Sequence, residues 1–457
     1  MPGDGGLTEG SVNHRQYHLP YQPAADLKEV VVSSSLDAHP DLPPSTARIY
    51  RLLSLVFPDD IDAGLTAAVC RLPAGQAAEV LQQLSSVGLL ENLGRQRGRD
   101  TVYRFHHRTR QHARSLAAAE EPSGTETEVT CRSLDWYLLT TTACERLVTP
   151  AHPVLDRDIS APDILAALLP DETTALAWLQ AQHANLMAAV RIAHRVGLYA
   201  TTWQLVHAMW PWFHRVHDYN AWFEAHELGF DAAWRCGHRL AQRILLNTWG
   251  VGLRSDRQLE RALEVFEQVH HLAVADDDQR TASQALHEIG NVHLDAGRFA
   301  EAERLLQQAR VMRAALGYER GVALTDICLG RVAFASQDFA RATDIFRTAF
   351  GALVAEHWFN AARALAWLGA SRAQCGDFAE AERCLRHASK EFATHGSDRW
   401  TARSTEMFGD ALTLQGRTGL ARDHYLRALT LYKPISPHDA ARVRTSLETV
   451  SSDEEGQ

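Results

Sequence analysis

Lysine is nearly absent from this chain of 457 residues: among 46 basic side chains, only Lys28, Lys390 and Lys433 are not arginine. Arginine abundance is therefore a property of the whole composition, and the choice of arginine at any one position carries little functional weight. Basic charge is also outnumbered, 46 to 56, for a net charge of −10. That excludes broad, nonspecific adhesion to nucleic acid or acidic membranes and leaves room for a local basic patch. The cysteines have no pattern. Cys70, Cys131, Cys144, Cys236, Cys328, Cys375 and Cys384 are scattered and odd in number, with no C-x-x-C among them. This excludes a disulfide framework and a zinc-type spacing, and fits a reducing cytoplasm. No apolar run reaches about 18 residues, so no membrane span is expected. No basic start followed by an apolar run opens the chain, so no secretory leader is expected. Missing too are G-x-S-x-G, H-E-x-x-H and a glycine-rich phosphate loop. The expectation is a non-catalytic, cytoplasmic protein with no cofactor and no metal.

What the chain does contain is a phrase used twice. GRFAEAERLLQQA at 297–309 returns as GDFAEAERCLRHA at 376–388. Around it runs a frame with a period of about 40 residues. A glycine recurs at Gly250, Gly290, Gly330, Gly369 and Gly409, and an alanine follows at Ala262, Ala302, Ala342, Ala381 and Ala421. Next come Phe266, Leu306, Phe346, Leu385 and Tyr425, then Val269, Ala309, Ala349, Ala388 and Ala428. Small residues at these places let two helices approach closely, which offsets the cost of glycine inside a helix. The G-R and G-D pairs are turn signals. Phe299, Phe339 and Phe378, with Leu259 in the first unit, are expected to plug the gap between paired helices. Thr418 in the last unit marks a weaker, terminal copy. Glu301, Glu303, Glu380 and Glu382 are expected on solvated faces.

Residues 172–236 also have helical spacing, with ATTWQLVHAMWPWFHRVHDY and NAWFEAHELGFDAAWRCG as a helix pair. Two readings of the Trp/His-rich stretch 203–226 stay open. Trp203, Trp210, Trp212 and Trp222 form either a large core or an aromatic pocket for a ligand. The spacing of His207, His214, His217 and His226 predicts no metal site.

Residues 43–119 read as three helices followed by two short strands around a turn rich in Gly and Arg, which is a winged helix. Its third helix carries Gln76, Gln82 and Gln83 and no basic residue, a poor reader of DNA. The basic residues Arg95, Arg97, Arg99, Arg104, Arg108, Arg110 and Arg114 lie in the wing and the helix after it. They suit a solvated wing, an acidic protein partner or DNA, the DNA contacts being Arg95, Arg97, Arg99, Arg108 and Arg110.

The repeat frame resembles the tetratricopeptide repeat. The segment VVSSSLDAHPDLPPSTARIYRLLSLVFP, with YRFHH, LDWYL at 134–138 and AWLQAQHANL at 177–186, resembles the winged-helix and repeat half of bacterial NB-ARC (STAND) regulators of antibiotic pathways. The resemblance implies a mainly α fold: a winged helix followed by a tetratricopeptide-type α-solenoid. The family's G-x-x-x-x-G-K-[ST] loop does not occur, so no nucleotide is expected here. At Phe105-His106-His107 the family has an Asp in place of His107, and His106 is expected to make only local hydrogen bonds. The expected divisions are a mostly disordered segment at 1–42, the winged helix at 43–119, a flexible joint at 120–128, a helical linker domain with a degenerate repeat at 129–238, five repeats at 239–440, and a frayed tail at 441–457.

Stacked helix pairs curve into a superhelix whose concave side is lined by each first helix. Counted from the glycines, Asn247, Arg254, Gln284, His287, Asn291, Arg331, Phe334, Arg363, Arg403, Glu406 and Asp410 point inward. Asn and Arg at such places suit a peptide backbone or a terminal carboxylate. The leading expectation is a regulator or adaptor that binds a protein or peptide in this groove, in control of a secondary-metabolite pathway. The alternatives are a DNA-binding regulator with the repeats as sensor, and an adaptor for a biosynthetic enzyme.

Overall fold

The computed structural model describes residues 42–455 except 97–98, 151, 154 and 356–357. The expectations for residues 1–41 lie outside the described residues. The chain is mainly α, with twenty helices and one small sheet among the described residues.

The first body runs through α1 (Pro44–Ser54), β1 (Asp60–Ile61), α2 (Ala63–Cys70), α3 (Ala74–Ser86), β2 (Leu90–Gln96), β3 (Arg99–Phe105) and α4 (His107–Glu120). Proline opens α1, where its missing N–H costs nothing. Asp62 caps α2 by accepting the Leu65 amide. The sheet is antiparallel in the order β1-β3-β2. Its two-residue strand β1 pairs Asp60 with Arg104 and Ile61 with Tyr103, and is too short to leave a periodic signal. Tyr50, fully buried, ties α1 to α4 by donating to the Thr109 carbonyl at 2.8 Å.

The joint expected at 120–128 is not loose. Glu121 accepts from Arg48 at 3.2 Å and Arg51 at 2.8 Å, and α5 (Thr125–Val148) begins after a short turn, ahead of the expected boundary at 129. The LDWYL motif lies on α5, and Trp136 packs edge-on against Trp178 of α6 (Glu172–Arg195). The next segment, expected as one helix, is two: α7 (Tyr199–Ala208) and α8 (Trp210–Val216). Pro211 has no N–H to continue the ladder of α7. α9 (Tyr219–Arg235) follows.

Five helix pairs come next. They are α10 (Arg239–Ser255) with α11 (Leu259–Ala275), α12 (Gln279–Asp295) with α13 (Phe299–Ala315), and α14 (Glu319–Ala335) with α15 (Phe339–Leu353). After them come α16 (Trp358–Gln374) with α17 (Phe378–Thr394), and α18 (Asp398–Leu414) with α19 (Thr418–Tyr432). The recurring glycine is explained by its neighbour across the pair. A Cβ at Gly250 would stand 2.6 Å from Phe266, at Gly290 2.7 Å from Leu306, at Gly330 2.6 Å from Phe346, at Gly369 2.8 Å from Leu385 and at Gly409 2.7 Å from Tyr425. Each large side chain of the second helix thus lies directly on the bare backbone of the first. The phrase GRFAEAER is the turn between them. Gly297 has φ 75°, and the Arg298 amide reaches back to the His293 carbonyl at 2.9 Å, closing a Schellman end.

Two expectations change. Phe299 stands 36% exposed at the rim, whereas Leu259 is buried, Phe378 packs on the core and Phe339 lies against Phe334. The tail is a helix, α20 (Pro437–Glu455), and Ala440, Val443 and Val450 bury against the last pair. The array also curls back on the body before it. Arg215 of α8 lies 4.7 Å from the Phe359 ring of α16, and Arg399 of α18 donates to the Tyr219 hydroxyl at 3.2 Å.

Candidate functional site: a polar cavity inside the array

The inner faces of α10, α12, α14 and α16 line a cavity of about 520 Å³, flanked on one side by α8 and by Val148, Thr149, Pro150, His152, Pro153 and Leu155. Seven of the eleven residues expected in the groove line it: Asn247, Arg254, Gln284, His287, Asn291, Arg331 and Arg363. They converge because four successive first helices present the same face, one helical repeat apart.

Its charges are organised around two carboxylates. Asp295 accepts from Arg254 at 2.9 Å and from Arg331 at 2.8 Å, joining the first and third units. Burial raises the Asp295 carboxyl, but these two guanidinia prevail and hold it below the usual range. Glu288 lies 3.7 Å from Arg254 and accepts from Gln284 at 2.8 Å. The amide of Asn291 reaches it at 3.5 Å. His287 is pushed well below its ordinary value, first by burial and then by Arg313, Arg254, Arg363 and Arg331, so it is neutral at pH 7. At the wall, Arg243 pairs with Asp276 and, at 2.9 Å, with Asp278. Arg280 stacks on Tyr318 at 4.1 Å.

Several buried polar atoms on this surface have no hydrogen-bond partner among the described residues: Asn247 Oδ1, Asn291 Oδ1, His287 Nδ1, Arg254 Nε and Arg363 Nε. Buried polar atoms are normally satisfied, and each exception calls for an explanation. They belong to residues that line the cavity, but the atoms themselves are closed off behind its surface.

The other four expected residues lie elsewhere. Phe334 packs on Phe339 and Trp367 at 5.3 and 5.5 Å. Glu406, 3% exposed, accepts from Arg442 of α20 at 2.7 Å and pairs with Arg403 at 2.9 Å. The Tyr432 hydroxyl donates to Glu406 at 3.1 Å, and that of Tyr425 to Asp410 at 2.8 Å. Arg403, Glu406 and Asp410 therefore serve the end of the array, where α19 supplies Tyr425 and Tyr432 and α20 supplies Arg442.

Sequence reasoning missed His214, Arg215, Arg243, Arg280 and Arg320 as lining residues. The signal for the first two was the Trp/His-rich stretch. Trp203, Trp212 and Trp222 are core, whereas Trp210 and His214 face the cavity.

Behind the cavity, Glu145, His152 and His207 bring possible metal-ligand atoms within 4.8 Å of one another. Arg157 already donates to Glu145, and its Nη2 stands 3.0 Å from His207 Nδ1, placing a positive charge where a cation would sit. Burial raises the Glu145 carboxyl, but His152, His207 and Arg157 hold it at about 2.

Of the arginines between 95 and 114, those at 104, 110 and 114 are tied down. Arg110 binds the carbonyls of Val56 and Pro58 and pairs with Asp59 at 2.7 Å, so it braces the loop after α1 instead of facing outward. Arg104 pairs with Asp60, and Arg114 donates to the Ser54 carbonyl at 3.1 Å. Arg95 is exposed and 4.0 Å from Asp100, Arg99 pairs with Gln96 in the sheet register, and Arg108 opens α4. Arg97 lies outside the described residues. No helix among the described residues is long and apolar enough to cross a membrane.

Residues 283–319 and 359–433 match models of the tetratricopeptide repeat. The chain is similar to the regulatory protein AfsR of Streptomyces coelicolor, 28% identical over 318 residues that make 67% of this chain and 31% of that protein. It is similar to AfsR of Streptomyces griseus, 24% identical over 444 residues, 89% of this chain and 44% of that one. It thus spans less than half the length of these curated relatives. Among solved structures, a Rap protein complexed with competence and sporulation factor is 12% identical with a TM-score of 0.48, covering 93% of this chain and 98% of its own. A STAND protein with a tetratricopeptide-repeat sensor from Pyrococcus horikoshii is 12% identical with a TM-score of 0.42, covering 92% and 64%. The chain carries tetratricopeptide repeats and is similar to regulatory proteins.

Proposed function

We propose that this protein is a non-catalytic regulator that binds a short peptide in the concave cavity of its repeats. The observation that carries the reading is the convergence of Asn247, Arg254, Gln284, His287, Asn291, Arg331 and Arg363 on one space of about 520 Å³. Amide, imidazole and guanidinium groups together suit a peptide backbone, which offers both donors and acceptors. The similarity to regulatory proteins supports a regulatory output, and the sequence resemblance points to a secondary-metabolite pathway. We read residues 44–120 as a winged helix, 125–235 as a helical body and 239–455 as the repeat array.

The test is native mass spectrometry of the protein incubated with the peptide fraction of its source culture. The wild type is expected to retain a peptide that Asn291→Ala/Arg331→Ala releases. Equal retention by both proteins would remove the cavity as the site.

A further inference from the structure

The side of the array turned away from the cavity has a cleft of its own. Its walls are α17 and α19, the second helices of the last two units, and its floor is α18; they surround about 570 Å³. From Glu382 to Thr394 the α17 wall runs about 18 Å, at about 1.5 Å per residue. Thr405, Phe408 and Leu412 form the floor, three and four residues apart on one stripe of α18. The cations stand on the walls, Arg386 and Lys390 on α17, Arg417 and Arg427 on α19. Glu382 is the one carboxylate among the lining residues. It pairs with Arg386 and lies 3.9 Å from Arg417, where both walls begin. Lys390 and Arg427, further along, are exposed and pair with no carboxylate among the described residues.

Exposed cations are common; what marks these is their place in the repeat. Between earlier second helices the same four places hold one arginine or none: Arg298 between α11 and α13, none between α13 and α15, Arg347 between α15 and α17. Just before the frame alanine, where earlier units have Arg261, Glu301, Arg341 and Glu380, the last has Leu420, 46% exposed. Three residues after it, in place of Val265, Leu305, Ile345 and Cys384, stands His424, its ring 4.4 Å from that of Phe408. The last unit thus gives this cleft an apolar strip with cations on both sides. A phosphate or a nucleic-acid backbone would use the cations and leave the apolar strip wet. A helix of about three turns matches the wall in length, and with apolar residues three and four apart and carboxylates on its flanks it meets both. The chain as a whole, at net charge −10, repels such a partner, which confines the attraction to this cleft.

We propose that the cleft between α17 and α19 docks an acidic amphipathic helix of a partner protein. The cavity on the other side plays no part in this, and the experiment keeps the two sites apart. A displayed library of unbiased peptides of about 14 residues, four turns long, is selected on the full chain and counter-selected on Lys390→Ala/Arg427→Ala. The selection is expected to enrich sequences rich in Asp and Glu, with apolar residues at helical spacing. Made as free peptides, these should bind the wild type at least tenfold more tightly than the double variant and severalfold more tightly than Leu420→Asn. They should bind Asn291→Ala/Arg331→Ala as they bind the wild type. Enrichment only of peptides that the double variant holds equally well would overturn the proposal, and so would enrichment of peptides without net negative charge. Displacement of the selected peptides by duplex DNA at equal concentration would make the cleft a general polyanion site and overturn the helix. All three substituted side chains are exposed, so these variants should melt within about 2 °C of the wild type. A large fall for the double variant would make its cations structural and end the proposal.

Discussion

The inward face of the array carries polar residues at two places, and they resolve in opposite ways. In the last unit, Arg403, Glu406 and Asp410 meet Arg442, Tyr432 and Tyr425, with α20 closing over them. In the first four units, Asn247, His287, Asn291 and Arg363 keep buried atoms that nothing in the described chain satisfies. Both sets interrupt the same apolar frame at equivalent positions. The difference teaches that a polar residue breaking a repeat marks a site only when the chain leaves it unfinished. Where the chain completes it, the residue is a fastening.

The largest expected effect concerns acid. His207 and His226, 2% and 1% exposed, are held down at about 4 and about 3, burial being the first cause in each. In the unfolded chain an imidazole takes a proton near pH 6.5. The unfolded state therefore binds more protons below that pH, and stability falls from about pH 6.5 toward 4. Each group contributes roughly 2 kcal/mol of loss by pH 5. Glu406 adds nothing in this window, because Arg403 and Arg442 overcome its burial and hold its carboxyl below the usual range. Urea midpoints at pH 7.5, 6 and 5 measure the fall, and a flat series would contradict the burial of both imidazoles.

Second is Glu406→Gln, which strands Arg403 and leaves Arg442 with Asp439 alone. Breaking a fully buried pair costs about 3–5 kcal/mol. Here the arginine side chains are 38% and 28% exposed, so the expected cost is about 2 kcal/mol by urea unfolding. Third is Asn291→Leu on the cavity side. It deletes an orphaned oxygen and one long contact to Glu288, so ligand-free stability should hold or rise, within about 1 kcal/mol. If Asn291→Leu costs as much as Glu406→Gln, the two regions are the same kind of site and the contrast is lost. Smallest is Glu303→Gln, which removes an exposed pair with Arg341, 43% and 49% exposed. It should move the urea midpoint by less than about 0.5 kcal/mol.

Much of this architecture could be read from the chain alone. The glycine frame located five helix pairs because each glycine answers to one large side chain across the turn, Gly330 to Phe346 among them. The same phase placed Asn247, Gln284, Asn291 and Arg331 on a common face, where they are found together. What a periodic frame could not show is anything that depends on a distant partner. Arg442 lies in a helix read as a tail, so the ion pairs of Glu406 were invisible. Arg110 looked like part of a basic wing until the loop after α1 folded onto it. His214 and Arg215 reach the cavity only because α8 breaks away at Pro211, a break that left a single proline as its trace.

An open stack of helix pairs behaves as a spring, able to lengthen or tighten its pitch by small, graded amounts. This one has its coil clasped. Arg215 rests on Trp358 and Phe359, and Arg399 holds Tyr219, so α8 and α9 are hooked to the fourth and fifth units. A clasped spring cannot stretch a little. Any change of pitch between these units must first part the contacts of Arg215 and Arg399.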